Sequence, residues 1–261
     1  MKKLASLLMA GLLAVAMIAP AAADSTKVLN GTPVVDGELD EIYLQSAEQT
    51  LGNPAFYKWG FEGEADLAAK AYFLWDADYL YVAVEGTDDD VISIGADIYA
   101  ENPANWQADA AELWFDEGSG KWKTHAEATG LNFRAEAVAN AGTPSFDNAD
   151  CLYAVSETAD GYIVEYAMPV ANLKAGGTIK TTLQVNDMVT YDAHPGTGYA
   201  SGSQNADIEL TFDAESVVYP EPETVAEVVE EAAAPQTFDM GVIAAVAAVV
   251  SAAGYAVSRK R

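Results

Sequence analysis

Trp106 stands between Asn105 and Gln107, an indole set in a polar run. A ring in such a loop can offer its face to a ligand or turn inward to pack, and the sequence leaves both open. Of the other four tryptophans, Trp75 and Trp114 fall inside strand patterns and read as core. Trp59 and Trp122 fall in glycine- or lysine-bearing stretches that read as loops, where an exposed ring is allowed. Two acidic groups, Asp88-Asp89-Asp90 and Asp36 with Glu38 and Asp40, carry the oxygen ligands a hard cation needs. Both also suit solvated turns. His194 precedes Pro195 and reads as a loop residue, and Met168 precedes Pro169 and reads as core.

Catalysis has no comparable signature. There is no G-x-S-x-G, no glycine-rich phosphate loop and no H-E-x-x-H. His125 and His194 are 69 residues apart, so a compact His-x-x-x-His zinc site is absent. The single cysteine, Cys151, allows no intrachain disulfide and no Cys-rich metal motif. With 40 Asp and Glu, some carboxylate pair at glycosidase spacing is expected by chance and carries no weight. The formal net charge of −27 repels phosphate backbones and anionic lipid, which removes nucleic acid and such membranes as partners.

The elements that must position these residues are strands. Residues 69–75 and 79–85 alternate around Asp76-Ala-Asp78 and predict a hairpin. Further strands are predicted over 111–116, 133–138, 152–156, 162–168, 180–186 and 206–212, mostly short, β-branched or aromatic, and bounded by Gly, Asp, Asn or Pro. No long amphipathic helix competes. The pattern predicts an all-β fold, an antiparallel β-sandwich of jelly-roll type.

The ends read differently. Met1-Lys2-Lys3, an apolar run over 4–18 and small residues to Ala23 predict a signal peptide over 1–23, cut after Ala23. Residues 240–257 are 18 residues without a charge, followed by Arg259-Lys260-Arg261. As a helix they span about 27 Å, near the ~30 Å of a bilayer's hydrocarbon, with the basic tail inside. Between them and the sandwich, assigned to 27–213, lies an acidic Pro/Glu/Ala stalk over 214–234. Ala234-Pro235-Gln236-Thr237-Phe238 before the apolar run and basic tail resembles the sorting signal of Gram-positive surface proteins, which places sortase cleavage after Thr237. The expectation for 235–261 is therefore a sorting or transmembrane anchor. The expected partner is the bacterial cell envelope, and the expected location is the outer face of the membrane or the cell wall.

Five segments in order resemble family 9 carbohydrate-binding modules, the sugar-binding sandwiches appended to xylanases. They are Pro33-Val-Val-Asp-Gly-Glu-Leu-Asp-Glu-Ile-Tyr43, Leu74-Trp-Asp-Ala-Asp-Tyr-Leu-Tyr-Val82, Asn105-Trp-Gln-Ala-Asp-Ala-Ala-Glu-Leu-Trp-Phe-Asp116, Gly161-Tyr-Ile-Val-Glu-Tyr-Ala-Met-Pro169 and Leu183-Gln-Val-Asn-Asp187. The resemblance spans about 33–212. It implies non-catalytic binding of a plant-type polysaccharide such as xylan, or of its oligosaccharides, between two aromatic rings. By position, Trp106 matches the first ring and Tyr199 falls near the second, where the family has Trp. Glu112, Arg134 and Gln184 match polar groups that take sugar hydroxyls, with Asn186 close by. A structural Glu112–Arg134 ion pair is the alternative use of those two. The resemblance also implies structural calcium, without choosing its ligands. Two other functions stay open: a structural or adhesive surface protein that keeps the fold, and a haem-binding relative that would need Met168 as axial ligand.

Overall fold

The computed structural model describes residues 26–59, 67–88, 91–93, 95–101, 106–118, 120–138, 144–171, 173–188, 199–203 and 206–220. In chain order the strands are β1 (Lys27–Asn30), β2 (Glu48–Thr50), β3 (Asn53–Trp59), β4 (Ala68–Trp75) and β5 (Leu80–Thr87). A six-residue helix, α1 (Ala96–Glu101), precedes β6 (Ala110–Asp116), β7 (Lys121–Glu127) and β8 (Phe133–Ala137). Then follow β9 (Leu152–Glu157), β10 (Gly161–Met168), β11 (Thr178–Met188), β12 (Tyr199–Ser203) and β13 (Ile208–Ser216).

The expected hairpin forms as β4 and β5, paired antiparallel from Ala68–Thr87 to Trp75–Leu80. Its turn is closed by Asp76, whose Oδ1 accepts from the N–H groups of Asp78 at 2.8 Å and Tyr79 at 2.9 Å. That is the local bond that makes Asp a turn former.

Hydrogen bonds run through the strands in the order β8-β7-β6-β11-β13-β1-β4-β5-β10-β9; β12 adds to β11 and carries β3, and β2 adds to β4. The path folds back on itself, so the inner faces of its two halves share one core. Leu113, Phe115, Trp122 and Leu183 come from one half, and Phe73, Val82, Val164 and Tyr166 from the other. Strand alternation sends every second side chain inward, which fits the apolar residues at 111, 113 and 115 of β6 and 183 and 185 of β11. The pairing is antiparallel except at β1, which joins the halves by running parallel to both β13 and β4. β13 continues to Ser216, Val217 is buried, and the Tyr219 hydroxyl accepts from the Thr32 N–H at 2.8 Å.

Several expectations change here. Trp122, expected in a loop, lies on β7 at 0% exposure, stacked on Phe115 with ring centroids 4.3 Å apart. Tyr199 belongs to strand β12, between β11 and β3. The fold class that added a signal peptide and a C-terminal transmembrane helix is corrected to what the described residues support, an all-β sandwich. Residues 1–23 with Ala23, and 221–261 with Thr237, lie outside the described residues. Among the described residues no helix is long and apolar enough to cross a membrane, α1 having six residues.

Candidate functional site

The outward face of β7, β6, β11 and β12 is built in cross-strand rows. His125, Glu112, Gln184 and Ser203 share that face: Glu112 stands opposite Gln184, and Gln184 opposite Ser203. The next row toward one end brings Lys123 and Trp114 opposite each other. The row toward the other end brings Asn186 opposite Ser201, and Ser201 opposite Tyr57 of β3. Along a strand, successive rows lie about 6.7 Å apart.

These side chains line a cleft of about 370 Å³ whose rim carries Trp106 and Tyr57, 39% and 45% exposed. Glu112 is its polar centre. Glu112 Oε1 lies 2.9 Å from His125 Nδ1, Lys123 Nζ is 3.3 Å from both carboxylate oxygens, and Gln184 Nε2 donates to Oε2 at 3.2 Å. Burial alone would push the Glu112 carboxyl up, but the contacts with His125 and Lys123 outweigh it and hold it below the usual range. Burial drives the His125 imidazole down, helped by the charges of Arg134 and Lys123 against the pull of Glu112. A neutral imidazole beside an ionised carboxylate must donate from Nδ1. Its Nε2 is then an acceptor, buried without a hydrogen-bond partner among the described residues.

Asn186 Oδ1 accepts from Gln184 Nε2 at 3.1 Å and from the Ser201 hydroxyl at 3.2 Å. Its amide nitrogen is buried with no acceptor among the described residues. The cleft therefore presents a carboxylate, an ammonium and two amides between partly exposed aromatic faces. That set can hold a ring-shaped molecule with apolar C–H faces and hydroxyls around its rim.

Of the residues expected from the sequence, Trp106, Glu112, Gln184 and Asn186 come together in this cleft. Arg134 sits on the same face one strand beyond His125, opposite it, and its Nε donates to Glu136 at 3.3 Å. Among the described residues Glu112 pairs with Lys123 and Arg134 with Glu136, so the ion pair held as the alternative use of Glu112 and Arg134 does not form. Tyr199 is placed by its backbone alone, opposite Met188 and Trp59. Trp114, expected in the core, instead lines the cleft with Lys123 Nζ 5.3 Å from its ring centroid. Tyr57, Lys123, His125 and Ser201 escaped sequence reasoning. The inward alternation of Trp122, Thr124 and Ala126 was the available signal for Lys123 and His125. Met168 is fully buried and packed in the core, the role read for it from the sequence.

Beneath the cleft lies a second polar group. Asp88, Asp109 and Asp187 are buried with ligand oxygens within 4.8 Å of one another. Asp109 accepts from the N–H groups of Ile92 and Met188, and its carboxyl is pushed well up by burial and then by Asp88 and Asp187. The Tyr162 hydroxyl is fully buried, feels all three charges and has no hydrogen-bond partner among the described residues. Gly86 makes room for that ring, since a Cβ there would come within 2.4 Å of it. Hard oxygen ligands that repel one another beside an orphaned hydroxyl fit calcium. Only Asp88 belongs to a cluster named from the sequence. Asp36, of the other, uses its carboxylate on the Glu38 N–H at 3.0 Å, and Asp40 uses its own on the Val34 N–H at 3.0 Å.

Fold and cleft together define a β-sandwich binding domain. The chain belongs to the carbohydrate family 9 binding domain-like family, whose model matches residues 35–213, and it is a non-catalytic carbohydrate-binding module of that kind. It is 32% identical over 170 residues to endo-1,4-beta-xylanase C of Paenibacillus barcinonensis, a match covering 62% of this chain and 14% of the enzyme. It is 30% identical over 164 residues to exoglucanase XynX of Acetivibrio thermocellus, covering 60% of this chain and 13% of the enzyme. The chain thus spans a small part of these relatives' lengths. A family 9 carbohydrate-binding module from Caldicellulosiruptor kristjanssonii in complex with cellotriose superimposes with a TM-score of 0.54 at 19% identity, over 76% of this chain and 99% of that one. These matches show the family and the fold. They give no support to the sortase-type or transmembrane anchor, the cell-envelope partner or the anchored location, and those expectations are corrected accordingly.

Proposed function

We propose that the domain binds a plant-type polysaccharide, or its oligosaccharides, by seating one pyranose unit between Trp106 and Tyr57 above Glu112. The observation that carries this reading is the convergence of Trp106, Glu112, Gln184 and Asn186, drawn from the loop before β6, from β6 and from β11, on one cleft. Each ring packs on an apolar sugar face, a contact worth about 1 kcal/mol beyond the buried area. Glu112 accepts hydroxyl protons, and Lys123 and the Asn186 amide, which has no acceptor among the described residues, donate to hydroxyl oxygens. The cradle of Lys123, His125 and Gln184 fixes the carboxylate before the sugar arrives, so little ordering remains to oppose binding.

The relatives' names, a xylanase and an exoglucanase, point to xylan and β-glucan as the polymers to try first. Isothermal titration with xylo- and gluco-oligosaccharides tests the reading. Saturable binding is expected, and no heat with either series at millimolar sugar would refute it.

A further inference from the structure

Two members of the buried acidic trio are chain neighbours of the residues that form the cleft. Asp109 lies three residues after Trp106 and three before Glu112, and Asp187 directly follows Asn186. Asn186 stands opposite Ala110, so Asp109 and Asp187 flank one cross-strand pair of β6 and β11. Strand alternation puts Glu112 and Asn186 on the cleft side of the sheet and Asp109 and Asp187 on its inner side. Asp88 comes from the other half of the sandwich, just past β5, where its N–H donates to the Asp160 carbonyl at 3.0 Å.

Asp109 also ties down the turn that carries Trp106. Its N–H donates to the Ile92 carbonyl at 3.2 Å, and its carbonyl accepts from the Ala128 N–H at 2.8 Å. Its carboxylate accepts from the N–H groups of Ile92 and Met188. The Ala108 N–H donates back to the Trp106 carbonyl at 3.1 Å, so one short turn separates the anchored residue from the indole. The three carboxylates bring oxygens within 4.8 Å of one another, and like charges that close push apart. Displacing Asp109 moves the Trp106 turn, and displacing Asp187 moves Asn186. A divalent cation between the carboxylates removes the repulsion. The buried Tyr162 hydroxyl, in the field of all three and without a hydrogen-bond partner among the described residues, is a further oxygen for it.

We infer that cation and sugar bind cooperatively: Asp109 and Asp187 are positioning residues that, held together by a divalent cation such as calcium, fix Trp106 and Asn186 in the arrangement that grips the sugar. The inference rests on the cleft being the sugar site. Without the cation the sugar itself must order the ring and the amide, which weakens binding. Coupling of this kind is reciprocal, so the sugar tightens the cation by the same factor.

The test uses the full chain. Cellotriose and xylotriose are titrated in ~1 mM calcium chloride and again in chelator at the same ionic strength, and calcium is titrated with and without saturating trisaccharide. Calcium is expected to tighten trisaccharide binding about fivefold or more, and the trisaccharide to tighten calcium binding equally. Asp187→Asn, with a melting curve to verify folding, is expected to bring that factor toward one. If the variant does not fold, the wild-type pair of titrations decides alone. Equal sugar affinity in calcium and chelator overturns the coupling and leaves the cleft standing as the sugar site. A wild-type factor that the folded variant keeps in full overturns the positioning role of the trio. Calcium binding with no trisaccharide binding in either condition overturns the cleft as the sugar site, and the coupling with it.

Discussion

Glu112 of β6 stands directly opposite Gln184 of β11, and the Gln184 amide donates to Glu112 Oε2 at 3.2 Å. With His125 and Lys123 from the other side, the carboxylate is held from two neighbouring strands. The polar groups of the cleft are thus set by sheet register, and a one-residue slip of β11 would turn Gln184 and Asn186 into the core.

Removing that charge should reach both binding and stability. Glu112→Gln keeps the volume but removes the carboxylate from buried His125 and from half-buried Lys123, which keeps Glu136 at 3.4 Å, a loss of roughly 1–3 kcal/mol. A fall in melting temperature together with lost sugar binding is expected. Unchanged melting would mean that the cradle contributes nothing to the fold.

Trp122 and Trp106 should behave oppositely. Trp122 is fully buried, stacked on Phe115 and edge-on to Phe146 at 5.2 Å. Trp122→Ala should cost about 3–5 kcal/mol of stability, as large core aromatics do. Denaturant melts of the two alanine variants check this, with the Trp106 variant expected near wild type.

Stability should also depend on pH through Glu165. Its carboxylate accepts from the Tyr43 hydroxyl at 2.9 Å and from the N–H groups of Asp36 and Gly37 at 3.0 and 3.2 Å. Burial nevertheless pushes it from 4.5 to about 7, with the nearby Asp36 charge adding to the rise. The folded state therefore binds its proton more tightly than the unfolded one. The resulting stability is complete below about 4.5 and is lost as pH rises through about 7. Glu112, shifted the other way, loses its contribution only as pH falls below the ordinary carboxylate range. Melting temperature should drop between about pH 5 and about pH 8, and Glu165→Gln should flatten that slope. An equally steep slope in the variant would assign it to other groups.

The buried trio Asp88, Asp109 and Asp187 should bind calcium. A cation bound only by the native state raises the melting temperature by mass action. The expected result is a higher melting temperature in ~1 mM calcium than in chelator at fixed ionic strength, with the difference lost in Asp109→Asn. Superimposable curves for the wild type would remove the site.

The hairpin β4–β5 was legible because Asp76 and the alternation of apolar residues act locally. β6 and β11 were legible for the same reason, whereas Glu112, Gln184 and Asn186 were named only through the family resemblance. β7 was not, since Lys121 and Lys123 flank Trp122 and make a half-buried strand look like a loop. β12 reads Tyr-Ala-Ser-Gly-Ser, with little intrinsic strand preference, and holds its form through pairing with β11 and β3. Tyr57 reaches the cleft only through that pairing, a contact between distant parts of the chain that no local pattern encodes. The calcium trio has the same character: Asp109 and Asp187 meet Asp88 only after the sheet has folded.

The sugar clamp itself is tested most directly by titrating the wild type and Trp106→Ala with the same xylo- and gluco-oligosaccharides while recording both melting curves. The account predicts saturable binding by the wild type and a loss of about 2 kcal/mol or more in the variant, as for other exposed anchoring aromatics, with the melting temperature little changed. A variant that binds as tightly as the wild type would contradict the clamp, and so would one that unfolds, because the indole would then belong to the core.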